Sequence, residues 1–471
     1  MPDPTIAKLH DWLRAHEDEL LKDTIQVLQI DSIESEAQPN APYGEGNRKV
    51  LDFVLKRAQD FGMAATDLEG HIGYAEFGQG EKLIMTLGHL DVVPVGPGWK
   101  HAPFGAAIDN GYLYARGSTD DKGPTMAAFY AMRAIKECVP DIPARMRAVF
   151  GCDEESGFCC VERYMKTEEP PTYGVAPDSG WPLYHAEKGI ADFLITAEMP
   201  KGDFEVLKVE GGQRPNIVID SCRARVRVSS AARAEVEEKV AGYWDKNVAC
   251  RWNADVLEVE ATGKAAHGAN PYVGDNAAGR IFRLFNEVAP FQVQAQFEEL
   301  LKMCQTSGAG IGIDGRDDVA GELTCNVGIV SFPNTSTPQH PNTVQLLCNI
   351  RYPVTWKGAE MAERCRAFLS KLKLKCSMAV ERDSSPLYFP LDHPLVKAVC
   401  EVYEEETGEK RTPGTMGGGT YARAIPNCVS IGTCWEGDGQ AHETDERIAI
   451  QSLFRASRIY AHLFYRLATM D

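Results

Sequence analysis

The chain has 471 residues, more than one hydrophobic core usually serves, so two or more domains are expected. Charged residues make up 25% and hydrophobic residues 44%, an ordinary globular balance that argues against disorder. A formal net charge of -18 argues against a nucleic-acid partner, because no basic surface is available to neutralise phosphates. The 14 cysteines contain no C-x-x-C pair, the opening "MPDPTIAKLHDWLRAHEDELL" lacks the apolar core of a signal peptide, and no apolar run reaches membrane-spanning length. A cytoplasmic protein with reduced thiols and no membrane partner is expected.

In chain order, "KLHDWLRAHEDELLKDTIQVLQI" and "NRKVLDFVLKRAQDFGM" repeat apolar residues at three- and four-residue intervals, predicting two early amphipathic helices. The continuous apolar runs "KLIMTLGHLDVV" and "RMRAVFGCDEESG" predict strands buried on both faces. Between them "GPTMAAFYAMRAIKEC" predicts a helix with Pro124 near its first turn. Strand, loop, helix and strand in that order predict an α/β fold with a largely parallel central sheet flanked by helices.

Polar residues appear abruptly where these strands end, the edge at which open α/β sheets bind ligands. His89 and Asp91 end the first strand, Asp120 lies in the loop before the helix, Asp153, Glu154 and Glu155 end the next strand, and "TYGVAPDSGWP" delivers Asp178 in the same way. Each alone has a structural reading: a hydrogen-bonded core histidine, a turn former, a helix cap. Together they favour chemistry, because several carboxylates at one sheet edge repel unless cations neutralise them. The adjacent Asp120 and Asp121 are tolerable if Asp120 bridges positive charge.

Beyond Asp178, "GIADFLITAEM" and "SCRARVRVSS" alternate like half-exposed strands, "AARAEVEEKVAGYWD" predicts a helix, and "DVLEVEATGKAAHGANP" a strand leading into a loop. This pattern predicts an α+β lid domain over 189–379, inserted between a first catalytic part, 1–188, and a second, 380–471.

The segments "GHLDVVP", "ARGSTDDKGP", "CDEESG", "APDSGW" and "AHETDE" resemble, in order and loop context, the co-catalytic dinuclear metallopeptidases that include aminoacylases, glutamate carboxypeptidases and carnosinases. The length, the D-D-K-G-P form and "GGGTYAR" look most like the PepV-type bacterial dipeptidases. The resemblance implies a zinc-peptidase-like fold and two divalent metal ions, zinc by preference, with manganese or cobalt also fitting imidazole and carboxylate donors. It implies His89 and Asp178 on one ion, Glu155 and His442 on the other, Asp120 bridging both, and a cis peptide bond between Asp120 and Asp121. Asp91 would orient His89 from behind. Glu154 would be the general base acting on a water between the ions.

In the lid, the resemblance implies His267 and Asn216 at the oxyanion and Arg351 on the substrate carboxylate. The run Gly417, Gly418, Gly419 and Thr420 would offer backbone N–H groups to that carboxylate. His267 and the glycine run also read as ordinary loop residues, and Arg351, on periodicity alone, as a strand residue facing water. The expected activity is hydrolysis of short unblocked peptides by a monomer. An N-acyl-amino-acid deacylase or carboxypeptidase on the same scaffold is the alternative. Relatives often carry Asn or Thr where this chain has Asp153.

Overall fold

The unbroken apolar runs fold as the centre of a sheet. In the computed structural model, which describes residues 3–333 and 342–470, the strand Leu83–His89 is buried at every position. Its neighbours on both sides, Arg145–Gly151 and Tyr173–Ser179, run parallel to it, and Cys428–Gly432 extends the parallel set beside Tyr173–Ser179. Ile72–Gly78 pairs antiparallel with Arg145–Gly151, and Ala64–Leu68 pairs antiparallel with Ile72–Gly78. The sheet is therefore mixed, with parallel pairing among four central strands and antiparallel strands beside them. A strand covered on both faces has no polar side to alternate, which accounts for its sequence pattern.

The helix Lys122–Cys138 packs against Leu83–His89, Arg145–Gly151 and the long helix Ile450–Thr469. With neighbours on several sides, almost all of its residues are buried. The first amphipathic stretch is not one helix but two, Pro4–Ala15 and Glu17–Leu28. They part at His16, whose ring Nδ1 lies 2.7 Å from the Trp12 carbonyl while its ring stacks on Trp12 at 3.7 Å. The side chain thus takes the carbonyl that a continuing helix would give to the His16 N–H, which instead donates to Leu13.

The chain divides into two compact units. Met1–His185, Tyr388–Gly414 and Gly419–Asp471 form one; Ala186–Leu387 and Thr415–Gly418 form the other. The second unit is built on an eight-stranded antiparallel sheet in the order Val248–Asn253, Val256–Thr262, Ser221–Val228, Phe204–Gly211, Thr324–Phe332, Thr343–Tyr352, Gly189–Glu198 and Cys376–Ser384. Ser221–Val228 alternates exposed and buried without a break. Its buried side joins a core with the helices Ala277–Val288, Phe291–Met303 and Gly358–Leu369. All 14 cysteines are free thiols. Among the described residues no helix is long and apolar enough to cross a membrane.

Candidate metal centre

The carboxyl ends of the parallel strands carry the polar residues. His89 closes its strand opposite Gly151, after which the neighbouring strand runs out into Asp153, Glu154 and Glu155. Asp178 sits near the end of Tyr173–Ser179. Close approach at this edge depends on glycine. A Cβ on Gly88 would stand 1.9 Å from Thr125 Oγ1, at the start of the helix, and one on Gly151 would stand 2.5 Å from the Tyr421 ring.

Asp120 lies at the middle of the cluster. One of its oxygens is 3.0 Å from His89 Nε2 and the other 3.1 Å from His442 Nε2. The same His442 nitrogen lies 3.0 Å from Glu155 Oε1. His89, Asp120 and Glu155 bring ligand atoms within 4.8 Å of one another, a spacing that could hold a metal ion. The peptide bond between Asp120 and Asp121 is cis.

Asp91, 1% exposed, ties the two strand ends together. Its carboxylate accepts the backbone N–H of Glu154 at 3.1 Å and of Glu155 at 3.0 Å. His89 Nδ1 lies 3.0 Å from the Asp91 backbone carbonyl and 3.5 Å from its carboxylate. This engages Nδ1 and leaves Nε2 to face Asp120. Asp121 is buried behind the site, where its Oδ2 accepts the His89 N–H at 3.1 Å and the Thr125 hydroxyl at 2.9 Å. The two adjacent aspartates therefore have opposite surroundings.

Electrostatics follows this division. Burial works against charge on Asp120, yet the hydrogen bonds from His442 and His89 hold its carboxyl well below the usual range. Burial, reinforced by the Asp120 charge, pushes the Asp121 carboxyl well up. Glu154 and Asp178 are also raised well above the ordinary value, first by burial and then by neighbouring carboxylates: Glu155, Asp120 and Asp91 act on Glu154, and Asp120, Glu154 and Asp121 on Asp178. Glu155 is raised by burial against the pull of His442. The hydrogen bonds to Asp120 and Glu155 lift His442 to about 10, and His89, despite burial, is raised by Asp120 and Asp91. So many carboxyl groups in one field, with two imidazoles, form a donor set that fits divalent cations.

Three supporting residues escaped the sequence reading. Arg116 and Glu446 form a buried ion pair at 2.8 Å, and Glu446 accepts the Thr119 N–H and hydroxyl, both at 2.9 Å. The Tyr421 hydroxyl accepts the Asp153 N–H at 3.1 Å, and its ring meets His89 edge to face at 6.0 Å. Asp153 accepts from the Ser156 hydroxyl at 2.9 Å and the Cys160 N–H at 3.3 Å, so it fastens its own loop. That Arg116 lies within "ARGSTDDKGP" and Glu446 closes "AHETDE" was the only available signal.

In the second unit, His267 and Asn216 lie on adjoining loops: Ile217 bridges His267, and Gly268 N–H donates to the Asn216 carbonyl at 2.7 Å. His267 is exposed, with Nδ1 accepting the Ala269 N–H at 3.2 Å. Arg351 does not face water; it is 5% exposed and donates to Asn349 Oδ1 at 3.1 Å and to the Gly417 carbonyl at 2.9 Å. Thr324, paired with Arg351 across the sheet, donates to the Ala269 carbonyl at 3.1 Å. His267, Arg351 and Gly417 are thereby linked through Ala269, beside a cavity of about 540 Å³ that Ala269, Thr324, Met416 and Gly417 help to line. Gly418 belongs to this unit, whereas Gly419 and Thr420 belong to the first, where the Thr420 hydroxyl accepts the Ala422 N–H at 3.2 Å.

Known proteins share both the sequence and the fold. Over 97% of this chain and 98% of its own length, the Bacillus subtilis (strain 168) protein YtjP, which carries a provisional dipeptidase name, is 35% identical. A Staphylococcus epidermidis protein with the same kind of name is 32% identical over 97% of this chain and 98% of its own. Human carnosine dipeptidase 1 shares the fold with a TM-score of 0.57 and 16% identity, over 100% of both chains. Yeast Dug1p, from Saccharomyces cerevisiae, does so with a TM-score of 0.57 and 15% identity, over 99% of both. The profile of peptidase family M20/M25/M40 matches residues 85–466, and the chain belongs to that family.

Proposed function

We propose that this peptidase is a metal-dependent dipeptidase that hydrolyses the peptide bond of short, unblocked substrates. The observation that carries the reading is the placement of Asp120, one oxygen toward each of two histidines. His89 and Asp178 with Asp120 would hold one divalent ion, and Glu155 and His442 with Asp120 the other, zinc being the preferred metal and manganese or cobalt fitting the same donors. Two such ions, when bound, supply an activated water near neutral pH and polarise the carbonyl under attack.

The protein's own groups do the rest. Asp91 holds the His89 ring and, through the amides of Glu154 and Glu155, the turn beside it. Glu154, whose carboxyl is raised well above its ordinary value by burial, takes the proton of the attacking water and passes it to the leaving amine. His267 and Asn216 serve the oxyanion, and Arg351 with Gly417, Gly418, Gly419 and Thr420 the substrate carboxylate. Residues 189–379 act as the lid domain and 1–188 with 380–471 as the catalytic domain, in a cytoplasmic monomer.

A panel of dipeptides assayed beside N-acetylated amino acids, with chelator-treated and metal-restored protein, tests this reading. Dipeptide turnover lost on chelation and regained with zinc, manganese or cobalt is the expected result. Preferential turnover of the acetylated set, or full activity without metal, overturns it.

A further inference from the structure

Asp120 and His442 reach the cluster from loops more than three hundred residues apart in the chain, and the His442 side chain is 53% exposed. Packing does not hold that imidazole, so its backbone must. Its φ is +66°, a left-handed value unusual for a residue with a Cβ and kept only where the surroundings impose it.

Those surroundings are a buried ion pair. Glu446, 1% exposed, accepts the Thr119 N–H and hydroxyl on Oε1, which also accepts the Asp120 N–H at 3.3 Å. Its other oxygen takes Arg116 Nη1 at 2.8 Å. Arg116, 2% exposed, donates the same Nη1 to the Glu443 carbonyl at 3.2 Å. Its Nη2 faces the carbonyls of Val95 at 3.4 Å, Pro94 at 3.5 Å and His442 at 3.5 Å. The carboxylate therefore grips the backbone of Asp120, while the guanidinium grips the loop of His442 and the segment that follows Asp91. We propose that Arg116 and Glu446 are positioning residues that fix His442 against Asp120 and so complete the second of two cation positions. A planar fork with several donors suits a task in which one side chain must address a carboxylate and carbonyls from two loops.

This inference rests on the two-cation reading above. The test is a titration of metal-stripped, full-length protein with Co²⁺, followed by its visible absorption and by calorimetry. Wild type is expected to show two binding phases. In Arg116→Lys, which keeps the charge but loses the fork, and in Glu446→Gln, which keeps an acceptor but loses the charge, the weaker phase should fall at least about tenfold in affinity. The tighter phase should stay within about twofold, against that expected outer-shell effect. At limiting metal kcat should fall with KM little changed, and excess Co²⁺ should restore it, a rescue that a merely unfolded variant cannot show.

Where a single variant fails to fold, as judged by melting in chelator, the double replacement Arg116→Met with Glu446→Gln removes both charges, and the same selective loss is expected of it. Two unchanged phases in the folded variants, or equal weakening of both, overturns the inference alone. A wild-type protein that takes up fewer than two ions refutes the two-cation reading, and this inference with it.

Discussion

The two compact units use the same charged residues in opposite ways. On the sheet of the second unit, Arg223 pairs with Glu260 at 3.1 Å and Arg227 with Glu205 at 2.8 Å, all about half exposed or more. These cross-strand pairs keep one face of an antiparallel sheet in water, and such pairs add little stability. In the first unit, carboxyl groups crowd one sheet edge, and Asp121, Glu154 and Asp178 are raised well above their ordinary values by burial. Acids matched by neighbouring bases mark a solvated surface; acids left in excess at the ends of buried strands mark chemistry.

The sharpest way to break this contrast is to neutralise one acid on each side. Replacing Glu154 by Ala should lower kcat for dipeptides by about 10²–10⁴-fold, with the melting temperature preserved. Glu260→Ala should leave kcat unchanged. Equal activity in the two variants would remove Glu154 from the role of base.

Packing gives the next largest effect. Gly88→Ala places a methyl 1.9 Å from Thr125 Oγ1 and 2.9 Å from Asp121 Oδ2, and should cost about 1–3 kcal/mol in urea unfolding. Gly242, the last residue of the helix Arg233–Gly242 in the second unit, has no atom within 4 Å of such a methyl. Its alanine variant should be neutral or slightly stabilising.

A smaller effect depends on pH. Glu406 is pulled down to about 2, burial being outweighed by the two imidazoles against it, His10 at 3.3 Å and His462 hydrogen-bonded at 2.6 Å. Because the folded value lies below the unfolded one, its stabilisation is complete above about pH 4.5 and is lost as the pH falls toward 2. Discounted for partial exposure, it amounts to about 1–2 kcal/mol. The denaturation midpoint of Glu406→Gln should thus lie below wild type at pH 6 and approach it only as the pH nears 2. Smallest of all, Arg223→Ala should not measurably move the midpoint at either pH, since its pair stands in solvent.

What could be read from the sequence follows from range. Strands such as Leu83–His89 were legible because burial on both faces leaves an unbroken apolar run, and the polar residues beyond them because the pattern stops abruptly. The break at His16 was not, because the apolar repeat continues across it and the interruption comes from one imidazole taking one carbonyl. The flanking antiparallel strands were equally hidden, since pairing direction is a property of partners. Ligand roles came from resemblance, whereas the pairing of Arg116 with Glu446 had no local signature: the two residues meet across 330 positions of sequence.

The carboxylate of Asp91 has one more consequence. By accepting successive amides, one on each oxygen, it anchors Glu154 and Glu155 through their main chain and asks nothing of their side chains. Two identical neighbours can then diverge: Glu155 meets His442, while burial and the surrounding carboxylates raise the Glu154 carboxyl well above its ordinary value. A single forked tether thus lets one dipeptide of the chain set two identical side chains in unlike surroundings, and shortening or neutralising it would disturb both at once.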